Sequence, residues 1–234
     1  QSNAGISNGA VISNWFDLSG NGNHAMQLTS DNQPTVANNQ LNGKSVMTFD
    51  GSNDYLQGDY SSAFNNDDLT IFIVKKQAES DTQETFYSTN EDVGYNFLEI
   101  THWDNVEITF TYFNENSTGN DYFVSSAKMD ANDFVIYAVR LDSLNSTQTS
   151  YANGLEDSVN DHAKEKFDHD IVTKSLQNYL IGKRAGSNAT LDGEIAEIII
   201  ISESLEDSQI HKIHAYLSKK WGFTNVVDSD GDGV

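Results

Sequence analysis

The sequence predicts an all-β fold, a two-sheet antiparallel sandwich with one short C-terminal helix. Three observations support this fold class: strand-like segments recur along most of the chain, turns rich in glycine, asparagine and aspartate separate them, and only one segment has helical periodicity. The chain has 234 residues, a hydrophobic content of 37% and an aromatic content of 11%. This composition indicates a folded domain with a full core rather than a disordered acidic chain.

The strand-like segments follow one another with turn signals between them. Residues 10–58 alternate short apolar runs with two polar turns, at 17–23 and 50–54, and place a strand at 45–50. The clearest strand is 69–75, whose β-branched and aromatic residues form a nearly continuous apolar run that is typical of a buried strand. Further strands are predicted at 84–88, 95–101, 106–113, 134–141, 147–152, 178–182 and 193–201.

One helix is predicted near the C-terminus, at residues 204–221. Four apolar residues there recur at intervals of three and four: Ile210, Ile213, Leu217 and Trp221. We expect Ser204 or Asp207 to cap the start of this helix and Gly222 to cap its end. His214 is interpreted as a residue of the helix surface.

The charge of the chain excludes several classes of partner. With 13 basic and 35 acidic residues the net charge is −22, which argues against binding to nucleic acid or to an anionic membrane surface. No apolar run reaches the roughly 18 residues of a membrane span, so no membrane insertion is expected. The absence of cysteine excludes disulfides and thiolate metal sites. Cations, neutral sugars and basic proteins remain as partners.

We interpret residues 5–223 as one domain. Residues 1–4, Gln-Ser-Asn-Ala, resemble the remnant of a cleaved expression tag and are set apart from the fold. Residues 224–234 are interpreted as the start of an acidic calcium-binding linker.

The linker interpretation depends on three regularly spaced aspartates near the C-terminus. Asp228, Asp230 and Asp232 match the D-x-D-x-D-G opening of an EF-hand-type loop. The same segment also resembles the start of a thrombospondin-type-3-like calcium repeat. Both interpretations predict calcium as the ligand.

Four segments are informative when they are taken together: residues 15–23, 49–55, 151–154, and 192–197 with the helix that follows. In their order and spacing they resemble the laminin-G-like, concanavalin-A-like jelly-roll domains of large bacterial secreted and surface proteins. The resemblance implies a jelly-roll sandwich, a structural calcium ion, a sugar-binding or adhesive role, and a secreted or cell-surface location. It does not identify a ligand, because this fold hosts lectins, hydrolases, lyases and spacers.

Two polar turns provide candidate calcium ligands. The candidates are Asp17, Asn21 and Asn23 in the first turn and Asp50, Asn53 and Asp54 in the second. Calcium prefers six to eight oxygen ligands, and both turns cluster such oxygens. The alternative is ordinary turn chemistry, in which Asp and Asn side chains bind their own backbone. The family resemblance adds Asp192 and Glu197 as further ligands.

A second group of residues is a candidate sugar-binding site. Lectins stack aromatic rings against sugars and bind the hydroxyls with polar side chains. Trp103 and Asp104 lie in a predicted turn, and Tyr112, Asn114 and Tyr122 border a polar loop. The alternative is that these aromatic residues fill the core of the sandwich.

The evidence for catalysis is weaker. Asp192, Glu194 and Glu197 resemble the acidic spacing of retaining glycosidases on this fold. A regular strand would place Glu194 and Glu197 on opposite faces, so a bulge would be needed to bring them together. A lyase site would need a basic cluster, and the sequence around Arg140 contains none. No catalytic residue is therefore predicted.

These observations favour a non-catalytic, calcium-stabilised carbohydrate-binding or adhesion module of an extracellular multidomain protein. The first alternative is a structural spacer or protein-contact module without a sugar site, whose partner would be another surface protein. The second is an enzyme of the glucanase or lyase type.

Overall fold

A computed structural model describes ten segments of the chain: residues 6–59, 68–78, 83–90, 98–103, 107–112, 121–125, 132–142, 144–145, 147–156 and 178–223. They form two facing antiparallel sheets and one α-helix, which confirms the predicted all-β jelly-roll sandwich. The predicted linker at 224–234, with Asp228, Asp230 and Asp232, lies outside the described residues.

The strands are β1 (Asn14–Trp15), β2 (Ala25–Met26), β3 (Thr35–Leu41), β4 (Lys44–Asp50), β5 (Leu56–Asp59), β6 (Leu69–Gln77), β7 (Glu84–Asn90), β8 (Leu98–Trp103), β9 (Glu107–Tyr112), β10 (Asp121–Ser125), β11 (Val135–Asp142), β12 (Thr147–Ala152), β13 (Leu155–Glu156), β14 (Asn178–Ile181) and β15 (Asp192–Ile201). One sheet has eight strands, in the order β1-β2-β5-β14-β7-β8-β9-β10. The other has seven, in the order β13-β12-β11-β6-β15-β4-β3.

Strand β6 lies at the centre of the seven-stranded sheet and is buried on both faces. Ile71 and Ile73 point into the core between the two sheets. Phe72 and Val74 point to the other face, into a second apolar cluster. Because both faces are covered, apolar residues occupy successive positions, and this explains the continuous apolar run that predicted a buried strand.

The helix α1 (Asp207–Trp221) covers the outer face of the seven-stranded sheet. Its start differs from the prediction: Glu206 is the N-cap, and its backbone N–H donates to the side-chain carbonyl of Gln209 at 2.9 Å. The predicted cap at the other end is confirmed, since Gly222 adopts a left-handed φ of 86°. Among the described residues, no helix combines the length and the apolar content needed to cross a bilayer.

His214 is a residue of the buried face of α1, so the prediction of a surface position is wrong. It follows Ile210 by one helical turn and is fully buried, with its ring edge-to-face against Phe72 at a centroid distance of 5.3 Å. Burial, together with the nearby charge of His211, lowers the pKa of His214 to about 4. The neutral imidazole therefore acts as an aromatic packing group.

Polar contacts hold α1 at both ends. At its start, Arg140 Nη1 lies 2.6 Å from Asp207 Oδ1. At its end, Lys220 Nζ and Trp221 Nε1 each donate to the Glu197 carboxylate at 2.6 Å. Arg140, the one residue weighed for a lyase site, is thus a structural contact of the helix.

Both ends of the described chain lie beside β3, the edge strand of the seven-stranded sheet. The N-terminal segment pairs with it, since Gly9 N donates to Val36 O at 2.7 Å. The end of α1 reaches the adjoining turn, where Asn42 Nδ2 donates to Lys220 O at 3.1 Å. These contacts cover part of a free strand edge, which would otherwise expose unpaired backbone groups.

The core between the sheets contains a charged side chain that the sequence analysis did not predict. Lys75 is only 2% exposed, and its ammonium bonds the side chain of Gln77 and lies 4.4 Å from the centroid of the Phe86 ring. Burial lowers the pKa of Lys75 to about 7, although the charge of Glu84 opposes this shift. Burial and the charge of Lys75 lower the pKa of the neighbouring His102 to about 4.

We predict that Leu217→Ala destabilises the domain by about 2–5 kcal/mol, because it opens a cavity where α1 meets the seven-stranded sheet. Urea unfolding followed by circular dichroism would measure the change. The matched control is Lys212→Ala on the exposed side of the same helix, where a change within about 0.5 kcal/mol is expected. A loss below about 1 kcal/mol for Leu217→Ala would show that the helix does not contribute to the folding unit.

Candidate functional site

The first predicted calcium turn is closed by the carboxylate of Asp17. Its Oδ1 accepts the backbone N–H of Ser19 at 2.7 Å, and its Oδ2 accepts the backbone N–H of Asn23 at 3.0 Å. Burial acts to raise the pKa of Asp17, but these hydrogen bonds outweigh it and hold the pKa below its usual value. Asn21 is exposed in the same turn. Such contacts are those of an ordinary polar turn.

The second predicted turn, after β4, places two carboxylates close together. Asp50 Oδ1 accepts the backbone N–H groups of Ser52 at 2.9 Å and Asn53 at 3.1 Å. Asp54 is 6% exposed, and its Oδ2 accepts the backbone N–H of Asp50 at 3.2 Å. Burial and the charge of Asp50 raise the pKa of Asp54 to about 6. This turn therefore holds a buried carboxyl next to an ionised one.

The structure brings some of the predicted metal ligands near one another and separates others. Asp192 is directly opposite Asp50 in the β15–β4 register. The Glu197 carboxylate lies away from this pair and accepts hydrogen bonds from Lys220 and Trp221 at the end of α1. In the described part of the chain, no group of three or more His, Asp or Glu residues is arranged to hold a metal ion. The carboxylate pair of the second turn fits a cation better than the first turn does, but it is not a complete ligand set.

The acidic residues of β15 share one face of the sheet. A bulge between Ile195 and Glu197 supplies the irregularity that the glycosidase comparison required. It places Glu194 and Glu197 on the face that carries α1, where Glu194 forms an ion pair with Lys76 at 2.6 Å and Glu197 binds Lys220. Both carboxylates therefore have structural partners.

The predicted sugar-binding residues lie in or near β8, β9 and β10. Asp104 and Asn114 are outside the described residues. Trp103 is the last residue of β8 and not part of a turn as predicted, because β8 extends two residues beyond the predicted strand at 95–101. Tyr112 is the register partner of Leu98. Tyr122 is the register partner of Thr111, which in turn pairs with Glu99.

The outer face of the eight-stranded sheet carries a row of polar and apolar side chains that crosses five strands. In register order it runs through Met26, Gln57, Leu180, Ser88 and Glu99. The neighbours of this row along the strands are buried in the core between the sheets: Ala25, Leu56, Tyr179, Ile181, Leu98 and Ile100. Because side chains alternate along a strand, the row points away from that core.

A shallow depression of about 390 Å³ opens on this face, and we call it the outer-face pocket. Its described lining comes from β5 and the residue before it, from β14, and from the loop between β14 and β15. It consists of Tyr55, Gln57, Leu180, Lys183, Arg184, Gly186, Ser187 and Asn188. This lining combines an aromatic ring and an aliphatic side chain with amide, hydroxyl and cationic groups. In ligand pockets, apolar side chains supply contact area and a few polar groups fix the orientation of the ligand, and this lining has both kinds of group.

The loop that forms one wall of the pocket is anchored to the sheet below it. Ser88 Oγ donates to Lys183 O at 2.8 Å and accepts from Ala185 N at 3.1 Å. Arg184 Nε lies 2.8 Å from Oε2 of Glu99, which is 2% exposed. Burial raises the pKa of Glu99, while the charge of Arg184 opposes this shift. The loop is therefore held by a partly buried ion pair and two hydrogen bonds.

Lys183 and Tyr55 face each other across the pocket wall. The Lys183 ammonium lies 4.8 Å from the centroid of the Tyr55 ring, at the distance of a cation–π contact. Tyr55 directly follows Asp54, so the second predicted calcium turn leads into the pocket. Thr190 Oγ1 also donates to Gly51 O at 2.7 Å, which ties the loop to that turn.

Sequence reasoning did not identify the pocket, because its residues come from two segments far apart in the chain. A sequence signal was present in the adjacent pair Lys183 and Arg184, since basic residues are scarce in this chain. The predicted strand at 178–182 placed this pair just beyond the end of a strand, where loops carry binding residues.

Comparison with protein families and curated sequences gives one match. Residues 50–211 match the family model described as the concanavalin A-like lectin/glucanases superfamily. A comparison with curated protein sequences gives no match.

Solved structures with a similar fold include three of different kinds. The CBM40 of the Ruminococcus gnavus IT-sialidase, bound to α2,3-sialyllactose, has a TM-score of 0.54 at 12% identity and covers 70% of this chain and 93% of that chain. The botulinum neurotoxin serotype G binding domain has a TM-score of 0.60 at 14% identity, and the match covers 91% of this chain and 54% of that chain. The NanB sialidase of Streptococcus pneumoniae has a TM-score of 0.58 at 18% identity, and the match covers 70% of this chain and 26% of that chain.

These likenesses show a shared fold at low sequence identity. The chain spans only about a quarter of the NanB chains, between 23% and 27% of their length. It spans nearly all of the CBM40 chain, at 93%.

We predict that Asp54→Asn raises the melting temperature at pH 7 by roughly 2–4 °C when no divalent ion is present. The folded-state pKa of Asp54 is raised, so its protonated form stabilises the fold at low pH, and this contribution is lost as the pH rises to about 6. The neutral amide keeps an acceptor for the Asp50 N–H and removes the repulsion.

Differential scanning calorimetry at pH 4 and pH 7 would test this, with exposed Asp31→Asn as the control. The increase in melting temperature caused by Asp54→Asn should be smaller at pH 4, where wild-type Asp54 is already protonated. An equal gain at both pH values would contradict the titration of Asp54.

Proposed function

The chain belongs to the concanavalin A-like lectin/glucanases superfamily, and on this basis we propose that it is a non-catalytic carbohydrate-binding module. The observation that carries the proposal is the outer-face pocket. Family membership alone does not give a function, because the same fold carries unrelated activities, so the proposal depends on this site.

The composition of the pocket supports a sugar ligand. Gln57, Ser187 and Asn188 offer neutral donors and acceptors suited to hydroxyl groups. Tyr55 and Leu180 offer apolar surface for the C–H face of a pyranose ring. A volume of about 390 Å³ is at the lower end for ligand pockets and suits one or two sugar residues. The structurally similar CBM40, bound to sialyllactose, is consistent with this ligand class.

Two observations favour binding over hydrolysis. The acidic residues with glycosidase-like spacing, Glu194 and Glu197, are paired with Lys76 and Lys220 on the face that carries α1. None of the described residues that line the outer-face pocket, on the other sheet, carries a carboxylate. A hydrolase of this type would need two carboxyl groups on either side of the scissile bond.

A protein-contact role is the second candidate, and exposed apolar side chains around β1 and β2 favour it. Leu18 is 63% exposed and Leu28 is 89% exposed, with Phe16 and Met26 exposed nearby. Clusters of this kind occur at protein interfaces. A structural spacer or protein-contact module would use this surface rather than the pocket.

Calcium stabilisation and an extracellular location complete the proposal. The pair Asp50 and Asp54 supports a cation at the second turn, because a divalent ion would offset the repulsion that raises the pKa of Asp54. Proteins without cysteine can be stabilised outside the cell by an ion in place of disulfides. The bound ion would lie beside Tyr55 and the pocket.

We predict that the domain binds at least one glycan and that Gln57→Ala weakens the affinity roughly three- to tenfold, the effect of one lost hydrogen bond. A glycan array would find the ligand, and isothermal titration calorimetry would measure both proteins. The matched control is Gln40→Ala, an exposed glutamine on β3 of the other sheet. No binding to any glycan on the array would overturn the proposed function.

We predict that millimolar calcium raises the melting temperature and that EDTA reverses the gain, since an ion that binds only the folded state stabilises it. In Asp54→Asn the calcium-dependent shift should be lost, while in Asp17→Asn it should persist. Identical melting curves of the wild-type protein in calcium and in EDTA would exclude a structural ion.

A further inference from the structure

The outer-face pocket is a cationic site on a strongly acidic protein. The chain carries 35 acidic and 13 basic residues. The described residues that line the pocket nevertheless include two adjacent basic ones, Lys183 and Arg184, and no acidic one. Glu99 lies beneath Arg184, so the local balance of these three groups is one positive charge.

Lys183 is the cation that remains available to a ligand. It forms no ion pair of up to 4.0 Å with any residue in the described part of the chain. Its ammonium is held over the Tyr55 ring, a contact that orients the group without neutralising its charge. Its backbone is fixed by the hydrogen bond from Ser88. A half-buried, positioned ammonium with free donors suits an anionic acceptor.

Arg184 has a different part in the same wall. Its guanidinium bonds Glu99 through Nε at 2.8 Å and Gln83 Oε1 through Nη1 at 3.3 Å. These contacts hold the loop against the sheet, and the Glu99 carboxylate opposes the arginine charge. Arg184 is therefore a positioning residue that keeps Lys183 and Asn188 at the pocket rim.

We propose that the ligand of the outer-face pocket is an acidic sugar, a sialic or uronic acid, and that Lys183 binds its carboxylate. This inference rests on the proposed function and names the substrate class of the same site. Neutral groups of the pocket contact the hydroxyls, and Lys183 supplies the preference for the charged sugar. A protein of net charge −22 repels polyanions at long range, so a short acidic unit bound at this one cationic point fits the charge pattern.

The test uses pairs of sugars in which the carboxyl group is either a free, charged carboxylate or a neutral methyl ester. The probes are α2,3-sialyllactose and its carboxyl methyl ester, and trigalacturonic acid and its methyl ester. We expect at least one free acid to bind the wild-type domain about tenfold more tightly than its ester in titration calorimetry, the effect of one charge-assisted hydrogen bond. The affinity ratio of free acid to ester should decrease in 0.5 M salt, because dissolved ions screen charge–charge attraction at a site that is open to solvent. If only the sialyllactose pair shows the preference, the bound carboxylate belongs to a sialic acid. If only the trigalacturonic acid pair shows it, the carboxylate belongs to a uronic acid.

Three variants connect the preference to Lys183. Lys183→Met keeps an apolar stem over Tyr55 and should abolish the difference between acid and ester, whereas Lys183→Arg should retain it. Lys44→Gln, at an exposed lysine of β4 on the other sheet, is the control and should leave the preference unchanged. Melting temperatures would verify that each variant is folded.

The outcomes separate this inference from the proposed function. If acids and esters bind equally, or if Lys183→Met keeps the preference, the inference is overturned and the carbohydrate-binding function stands. If neither these four probes nor any neutral glycan on an array binds the wild-type domain, both are overturned.

Discussion

Burial of the seven-stranded sheet on both of its faces is the constraint on which the rest of the structure depends. One face meets the eight-stranded sheet, and the other meets α1. Each apolar side chain buried in this way contributes about 1.5–3 kcal/mol relative to exposure. Within the described segments no helix packs on the outer face of the eight-stranded sheet, and polar residues and a pocket occur there.

The cover of α1 also determines what the acidic residues of β15 do. The bulge after Ile195 turns Glu197 toward the helix, where Trp221 and Lys220 bind it. A carboxylate buried beside an indole N–H and an ammonium has its desolvation offset by strong local partners. Glu197 therefore serves here to attach a helix, while Glu194 is paired with Lys76 of β6.

Much of the fold was predictable because it depends on local pattern. Strand β6 has the continuous apolar run of a doubly covered strand, and α1 has helical spacing with Gly222 at its end. Short strands such as β2 (Ala25–Met26) were missed, because two residues carry no periodicity. The burial of Lys75 and His214 was missed for a related reason: a polar residue type favours the surface, and only the packing around it reverses that preference.

The site was less predictable than the fold because it depends on register. Tyr55 and Lys183 meet only because β14 pairs with β5, and no local pattern encodes that pairing. The predicted residues of the two turns were individually correct as turn formers, since Asp17 and Asp50 do close their turns. Whether such a turn also binds an ion depends on ligands contributed from elsewhere in the fold.

The position of both described ends beside β3 has a mechanical consequence. The N-terminal segment bonds Val36 of this strand, and the end of α1 is bonded by Asn42 just beyond it. A force applied between residues 6 and 223 would act first on these contacts, at one edge of the seven-stranded sheet and at the end of α1. The outer-face pocket lies on the other sheet, outside that path.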